Sequence, residues 1–206
     1  MKFEDWEPHY LRILDYFGFE RADDERAAEF ARTLTSKDDI EKLKLALDGK
    51  NVTVCGNAPC LKDEISRIEG VVFAADAAAD YLYKSKIRPD IISTDLDGCE
   101  DSFLEMSRSG TIMVVHAHGD NISLLKNWVP LFKGPVVITT QSRPVKGVYN
   151  FGGFTDGDRA VFTAVELGAS KVRLAGFDLD DSSVNPMKHG KLMIARELLG
   201  ILGYDL

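Results

Sequence analysis

Two aspartates separated by one residue, Asp95 and Asp97, follow the short apolar segment Ile91-Ile92. If the backbone stays extended, the two side chains point to the same side, because side chains alternate along a strand. Carboxylates held this close repel each other unless a positive charge lies between them. A hard divalent cation such as Mg²⁺, carrying the phosphates of a nucleotide, is the usual partner. We therefore expect Asp95 and Asp97 to be metal ligands; the alternative is a pair of solvated loop aspartates.

The elements that must position these aspartates alternate between strands and helices. The predicted strands are 52–54, 71–74, 91–93, 111–115, 136–138 and 171–175. The predicted helices between them are 61–68, 77–84, 101–107, 122–129 and 158–167. This alternation predicts an α/β fold with a doubly wound, mainly parallel, Rossmann-like sheet covered on both faces.

Ligands of open parallel sheets bind at the carboxyl ends of the strands, so the residues that follow each strand predict the site. Small, glycine-type and carboxylate residues recur there. They are Cys55-Gly56-Asn57-Ala58-Pro59, Asp76, Asp95 and Asp97, His116, His118 to Asn121, Thr139-Thr140, and Phe177, Asp178 and Asp180. A site at this edge of the sheet follows from their placement.

The first 48 residues have helical spacing and lack a strand-like run. We predict an N-terminal helical subdomain at 1–48, which packs on the sheet or serves self-association, and an α/β catalytic domain at 49–206. Ser36 followed by Asp39 is typical of a helix start, and Gly49 of a helix end.

Composition favours a cytoplasmic enzyme of small molecules. The formal charge of −8 argues against sequence-independent nucleic-acid binding, which needs basic surfaces. The acidic start does not resemble a signal peptide, and no segment approaches the ~18 apolar residues of a membrane span. The three cysteines lack zinc-ligand spacing, which favours reduced thiols.

Four ordered motifs between about Val52 and Lys191 resemble a known family. Residues 75–82 and 88–98 resemble the signature of thiamin pyrophosphokinases. Residues 115–121, 153–160 and 174–178 are more similar still to the archaeal 6-hydroxymethyl-7,8-dihydropterin pyrophosphokinases. The resemblance implies Mg²⁺- and ATP-dependent transfer of a diphosphate to a pterin hydroxymethyl group, with release of AMP, in folate or methanopterin-type cofactor synthesis. Only about 30 residues follow Leu174, where thiamin enzymes carry a β-rich domain, so we expect thiamin not to be the substrate.

The resemblance also implies roles for the residues around the phosphates. Asp120 matches the family's third carboxylate, so we expect Asp95, Asp97 and Asp120 to hold one or two metal ions, which can stabilise attacking and leaving oxygens. The alternative for Asp120 is to orient the substrate hydroxyl. Gly119 and Asn121 belong to the same motif and are expected to contact ATP. For Asp76 we expect a metal contact through water, a ribose contact or a helix cap.

The other candidates come from the chemistry of the side chains and loops. The turn Gly56-Asn57-Ala58-Pro59 lacks a Walker pattern, but its backbone N–H groups can bind an anion. His118 can hydrogen-bond phosphate or accept a proton, whereas His116 is interpreted as a buried structural histidine. The cluster Lys188, His189 and Lys191 either reaches phosphate oxygens or is a solvated helix start.

The pterin pocket is expected between residues 151 and 180. A carboxylate can pair with the amino-pyrimidinone edge of a pterin through two hydrogen bonds, and an aromatic ring can stack on its face. The candidates are Asp156, Asp158, Asp178 and Asp180, with Phe151, Phe154 and Phe177 as rings; Asp156, Asp178, Phe154 and Phe177 are favoured. Asp158 can instead begin a helix.

Two other functions were weighed. The Gly56 turn also resembles the Gly-Asn-Gly-Pro-Ser turn of bacterial sialyltransferases and flagellin-modification proteins, which bind nucleotide sugars. A nucleotide-sensing module without activity is the second alternative, but it does not require so many carboxylates near phosphates. We expect small-molecule substrates and no nucleic-acid or membrane partner, and a homodimer is one of the assemblies considered.

Overall fold

Seven parallel strands form a single sheet in the computed structural model, which describes residues 1–204. The strands are β1 Asn51–Cys55, β2 Val71–Ala75, β3 Ile91–Thr94, β4 Ile112–Ala117, β5 Val136–Thr140, β6 Val148–Tyr149 and β7 Lys171–Ala175. Their order is β6-β5-β4-β3-β2-β1-β7, and all neighbours pair in parallel. Valine, isoleucine and threonine dominate the central strands, as expected where both faces are buried. The α/β prediction is confirmed.

Nine α-helices connect or flank the strands in these residues. They are α1 Phe3–Phe17, α2 Arg21–Thr33, α3 Ile40–Leu47, α4 Leu61–Glu64, α5 Ala78–Lys84, α6 Asp101–Arg108, α7 Ile122–Trp128, α8 Asp156–Glu166 and α9 Pro186–Ile201. None is long and apolar enough to cross a membrane. The sequence analysis did not predict β6, which has only two residues, or α9 as an element.

The helices cover both faces of the sheet. The chain moves in one direction from β1 to β5, so right-handed crossovers place α4, α5, α6 and α7 on one face, where α2 joins them. On the opposite face, α8 packs against β1, β2 and β3 as the chain returns to β7, and α3 and α9 lie on this face too. The loops after β1 and β7 therefore diverge to opposite faces, and this divergence opens a crevice between the two strands.

The three N-terminal helices pack against the sheet and its covering helices. Ala27 and Ala31 of α2 belong to the core on one face, and Leu47 of α3 belongs to the core on the other. Trp6 of α1 packs in a third cluster with residues of α8 and α9. The division at residue 48 stays a prediction.

One predicted helix boundary is wrong. The third helix begins at Ile40 after Asp39, rather than at Ser36. The side chain of Asp39 accepts the backbone N–H of Val136, and its own N–H donates to the Val136 carbonyl. Residues 36–39 therefore connect to β5 instead of forming a helical turn. Gly49 does follow this helix, with a left-handed φ of 68°.

Candidate functional site

The crevice between β1 and β7 is formed by a close approach of two glycines. The backbone of Gly56 lies so near Gly176 that a Cβ atom on Gly56 would come within 2.5 Å of the Gly176 carbonyl oxygen. The N–H of Ala58 donates to that same carbonyl at 3.0 Å. Glycine is required here because any side chain would push apart the two strand ends that open the crevice.

The aspartate pair lies in a turn, so the expectation of an extended backbone is wrong. Strand β3 ends at Thr94, and Leu96 adopts a left-handed φ of 76°. The Thr94 hydroxyl accepts the Leu96 N–H at 2.8 Å, and the Asp95 carboxylate accepts the Asp97 N–H at 3.2 Å. The turn still brings the Asp95 and Asp97 side chains to the same cavity.

Asp76 follows β2 and also has a left-handed φ, of 44°. Its carboxylate accepts a hydrogen bond of 2.6 Å from the Thr94 hydroxyl. Gly98 packs directly against the other oxygen, because a Cβ on Gly98 would lie 2.0 Å from Asp76 Oδ2. A non-glycine residue keeps a left-handed φ, as Asp76 does here, only where surrounding contacts fix it. The aspartate turn and Asp76 therefore hold each other in place.

Three carboxylates converge at this point. Oxygen atoms of Asp76, Asp95 and Asp156 all lie within 4.8 Å of one another. Asp156 is the first residue of α8, and its carboxylate accepts a hydrogen bond of 3.0 Å from Arg159. Three carboxylate oxygens at this spacing fit a hard divalent cation, which prefers oxygen ligands. The structure thus places Asp156 with the predicted metal ligands rather than apart from them.

Burial and repulsion shift the pKa values of these carboxyls in different directions. Burial raises the pKa of Asp76 to about 6, and the charges of Asp95 and Asp97 add to the rise. Burial, with the Asp95 charge, also raises the pKa of Asp156 well above its ordinary value. Burial acts upward on Asp95 too, but the His118 hydrogen bond, the Asp97 N–H and the Arg159 charge together lower the Asp95 pKa. Asp95 is therefore the carboxyl of the cluster whose ionised form the site favours.

These shifts predict a pH dependence of the metal-free protein. Because the pKa of Asp76 is raised when folded, its contribution to stability is complete below the unfolded pKa of 3.8 and is lost as pH rises through about 6. The free energy of unfolding in urea with a chelator should therefore fall between pH 4 and 7. Asp76→Asn should weaken this fall. An Asp76→Asn curve as steep as wild type would contradict the assignment.

The turn after β4 carries four predicted site residues, and the structure places them beside the cavity rather than in its wall. The Nε2 atom of His118 lies 3.6 Å from Asp95 Oδ2. Asn121 is buried and donates hydrogen bonds of 2.7 Å to the carbonyls of Asp95 and His116. Asp120 is exposed, and its N–H donates to His118 Nδ1. Gly119 and Asp120 do not line the cavity, so metal ligation by Asp120 stays a prediction.

His116 is buried, as interpreted from the sequence. Its Nδ1 lies 3.2 Å from the Thr139 hydroxyl, and burial lowers its pKa well below the ordinary value. His116 is therefore a neutral histidine of the core beneath His118, with which its ring stacks at 5.9 Å between centroids.

A cavity of about 510 Å³ joins the crevice to the carboxylates. Predicted site residues in its wall are Gly56, Asn57, Ala58, Pro59, Asp76, Asp95, Asp97, Phe154, Asp156, Phe177 and Asp178. The edge of the Phe177 ring packs against Gly56 and Gly157. Asp178 is exposed after the end of β7, which lies on the far side of β1 from the strands that precede Asp76 and Asp95. Asp158 is excluded from the cavity because its carboxylate accepts the N–H groups of Phe154 and Thr155 at the start of α8.

Basic residues form part of the cavity wall, and the sequence left open whether Lys188, His189 and Lys191 reach phosphates or begin a solvated helix. Helix α9 forms one wall, with Lys188 and Lys191 in it, whereas His189 does not line the cavity. Arg159 lines it too, only 6 % exposed, and binds the Phe154 carbonyl at 2.6 Å as well as Asp156. The sequence signal for α9 was Asn185-Pro186, an N-cap followed by proline at the first helical position.

The sequence is similar to known archaeal proteins. A family model described as "6-hydroxymethylpterin diphosphokinase MptE-like" matches residues 25–184. A 6-hydroxymethyl-7,8-dihydropterin pyrophosphokinase of Pyrococcus furiosus is 40% identical, and the match covers 97% of this chain and 93% of that protein. The proteins of the same name from Methanothermobacter thermautotrophicus and Methanocaldococcus jannaschii are 39% and 35% identical, over 88% and 86% of this chain and 80% of each relative.

A solved structure, the MAf glycosyltransferase of Magnetospirillum magneticum, is 15% identical with a TM-score of 0.45. The match covers 78% of this chain and 29% of that one, and a likeness this weak carries no argument. The family model spans most of the cavity wall, including the three clustered carboxylates. The chain therefore belongs to the 6-hydroxymethylpterin diphosphokinase MptE-like family.

Proposed function

We propose that this protein transfers a diphosphate from ATP to the hydroxymethyl group of 6-hydroxymethyl-7,8-dihydropterin and releases AMP. The observation that carries the proposal is the convergence of three carboxylates on the wall of a cavity, in a chain of this family. Diphosphate transfer relies on positioning and on neutralising the charge of the phosphates, and a metal-binding carboxylate cluster serves both needs. The product would serve folate or methanopterin-type cofactor synthesis, as the family resemblance implies.

In this proposal Asp95, Asp76 and Asp156 hold Mg²⁺, with Asp97 at the mouth of the cluster. The three carboxylates fit Mg²⁺ because their oxygens lie close enough together to bind one ion. When bound, Mg²⁺ would neutralise the charge that develops on the transferred phosphates. His118 orients the Asp95 carboxylate through its ring, since its Nε2 faces Asp95.

Cationic side chains on the other wall suit the phosphates of ATP. Lys188 and Lys191 are exposed in the cavity, and Lys191 lies close enough that its charge opposes the rise of the Asp97 pKa. In the Gly56 turn, the N–H groups of Gly56 and Ala58 donate to the carbonyls of Ala175 and Gly176, so we assign the phosphate contact of this turn to Asn57, which lines the same cavity. We propose that these groups bind the triphosphate against the carboxylate cluster, where lysine acts as a flexible point charge.

The pterin would then occupy the end of the cavity near Phe177 and Asp178. The hydroxymethyl oxygen bonds to the β-phosphorus, and the bond from that phosphorus to the oxygen bridging the α-phosphate breaks. AMP leaves with that oxygen, and the hydroxyl proton passes to solvent. In-line attack requires the acceptor to approach from the side opposite the leaving AMP.

The test is incubation with ATP, Mg²⁺ and 6-hydroxymethyl-7,8-dihydropterin, followed by chromatography of the nucleotides and pterins. AMP and a diphosphorylated pterin are the expected products. Parallel reactions with thiamin, and with nucleotide sugars in place of ATP, serve as controls and should show no turnover. ADP with a monophosphorylated pterin would identify an ordinary kinase, and turnover of a nucleotide sugar alone would favour a glycosyltransferase.

A further inference from the structure

A buried carboxylate in the N-terminal helices contacts the turn beside the active-site cavity. Asp24 of α2 is 3 % exposed and accepts three hydrogen bonds. The donors are the Gly119 N–H at 3.0 Å, the Tyr10 hydroxyl at 2.7 Å and the Gln141 side-chain amide at 2.8 Å. A carboxylate so deeply buried is costly unless its oxygens are satisfied, and here donors from α1, from the turn after β4 and from the end of β5 satisfy them.

Helix α2 also touches this turn through its backbone. A Cβ atom on Gly119 would lie 2.5 Å from the Cβ of Asp23, so the turn and the helix are in direct contact. The absence of a side chain at Gly119 lets its N–H reach the Asp24 carboxylate. The turn is therefore fixed to α2 by a charged hydrogen bond, which is stronger than a neutral one.

The same turn holds the aspartate that the proposed function uses as metal ligand. Asn121 donates to the Asp95 carbonyl at 2.7 Å and accepts the His118 N–H at 3.1 Å. The His118 ring in turn lies 3.6 Å from the Asp95 carboxylate. A displacement of the turn would thus move both the Asn121 amide, which holds the Asp95 backbone, and the His118 ring, which faces the Asp95 carboxylate.

We infer that Asp24 is a positioning residue: it fixes the turn at Gly119 to Asn121, and through this turn it sets the Asp95 side chain in the cavity. The N-terminal helices are then part of the catalytic architecture, although none of their residues lines the cavity. The catalytic consequence rests on the proposed function, whereas the structural coupling between Asp24 and the Asp95 turn does not.

Amide hydrogen exchange measured by NMR tests the coupling without any substrate. In Asp24→Ala the amides of Gly119 and Asp97 should exchange about tenfold faster or more, because one charged hydrogen bond is lost. Amides in the centre of β4 should keep their wild-type rates. If Asp24→Ala does not fold, Asp24→Ser, whose shorter side chain admits water, is measured in its place.

Two matched variants separate positioning from a general loss of stability. Tyr10→Phe removes another hydrogen bond of the same carboxylate and should leave the Asp97 amide unchanged. Asp24→Asn keeps an oxygen for the Gly119 N–H but not the charge, so both amides should exchange at rates between those of wild type and Asp24→Ala. Equal exchange of the Asp97 amide in Asp24→Ala and Tyr10→Phe would overturn the inference, whatever reaction the protein catalyses.

Kinetics add the functional readout. In Asp24→Ala, kcat should fall about tenfold or more while the KM for the pterin stays within about twofold, since the pterin end of the cavity is untouched. Tyr10→Phe is assayed at a temperature as far below its own melting temperature as that used for Asp24→Ala is below the melting temperature of Asp24→Ala. Under these conditions it should keep wild-type kcat. A wild-type protein inactive with pterins would reject the proposed function, and the exchange experiment would still decide the inference.

Discussion

Asp95→Asn should lower kcat by about a thousandfold or more, because the amide cannot replace the charge of the carboxylate whose pKa the site lowers. One carboxylate oxygen of Asp95 lies within 4.8 Å of an oxygen of Asp76 and of Asp156, so this substitution removes a charge from the proposed metal site. The fold should survive, with some loss of stability, since the Asp95 carboxylate is favourably placed next to His118. Circular dichroism and steady-state rates over a Mg²⁺ series measure both effects.

The comparison with Asp120→Asn decides between two arrangements of ligands. The sequence analysis predicted Asp120 as the third ligand, whereas the structure brings Asp156 into the cluster and leaves Asp120 exposed. Asp63→Asn, an exposed carboxylate of α4, is the control for a general change of charge. Asp120→Asn with wild-type kcat and Mg²⁺ dependence would exclude Asp120; a loss as large as that of Asp95→Asn would restore it. An active Asp95→Asn would reject the metal site altogether.

The fold and the edge of the sheet that carries the site were predictable, because they depend on local patterns. Apolar β-branched segments such as Val136–Thr140 predict buried strands, and a parallel sheet brings the carboxyl ends of its strands to one edge. Asp76 and Asp95 could therefore be placed near each other from the sequence alone. The same reasoning found the Gly56 turn, since a strand followed by small residues is a local signal.

What the sequence did not show depends on backbone conformation and on contacts between distant segments. The left-handed φ of Leu96 has no signal in the residue type, because leucine rarely adopts it, so the backbone beyond the predicted strand 91–93 was expected to stay extended. Asp24 and Gly119 are 95 residues apart, and only the folded sheet brings them together. Helix α9 was not predicted as an element, although a solvated helix start was one of the two interpretations of Lys188, His189 and Lys191.

Asp156 and Asp178 should have different effects, although the sequence analysis assigned both to the pterin. Asp156 lies in the carboxylate cluster and is paired with Arg159, so it belongs with the metal and the phosphates. Asp178 is exposed and lines the cavity beside Phe177, after β7, where a carboxylate can pair with the pterin edge. Asp178→Ala should therefore raise the KM for the pterin about 30-fold, since a charged hydrogen-bonded partner contributes roughly 2 kcal/mol. The KM for ATP should not change.

Asp156→Asn should instead lower kcat and raise the Mg²⁺ concentration needed for half-maximal rate, with the pterin KM within about twofold of wild type. Its fold should be at least as stable as wild type in the absence of metal, because burial and the Asp95 charge disfavour the ionised carboxyl and raise its pKa.

Asp180→Asn is the control for Asp178→Ala, since Asp180 is exposed nearby and pairs with Arg196 outside the cavity. If Asp156→Asn raises the pterin KM while Asp178→Ala raises only that for ATP, the two ends of the cavity are reversed. The pterin would then bind beside the carboxylate cluster, and the metal assignment of Asp156 would be wrong.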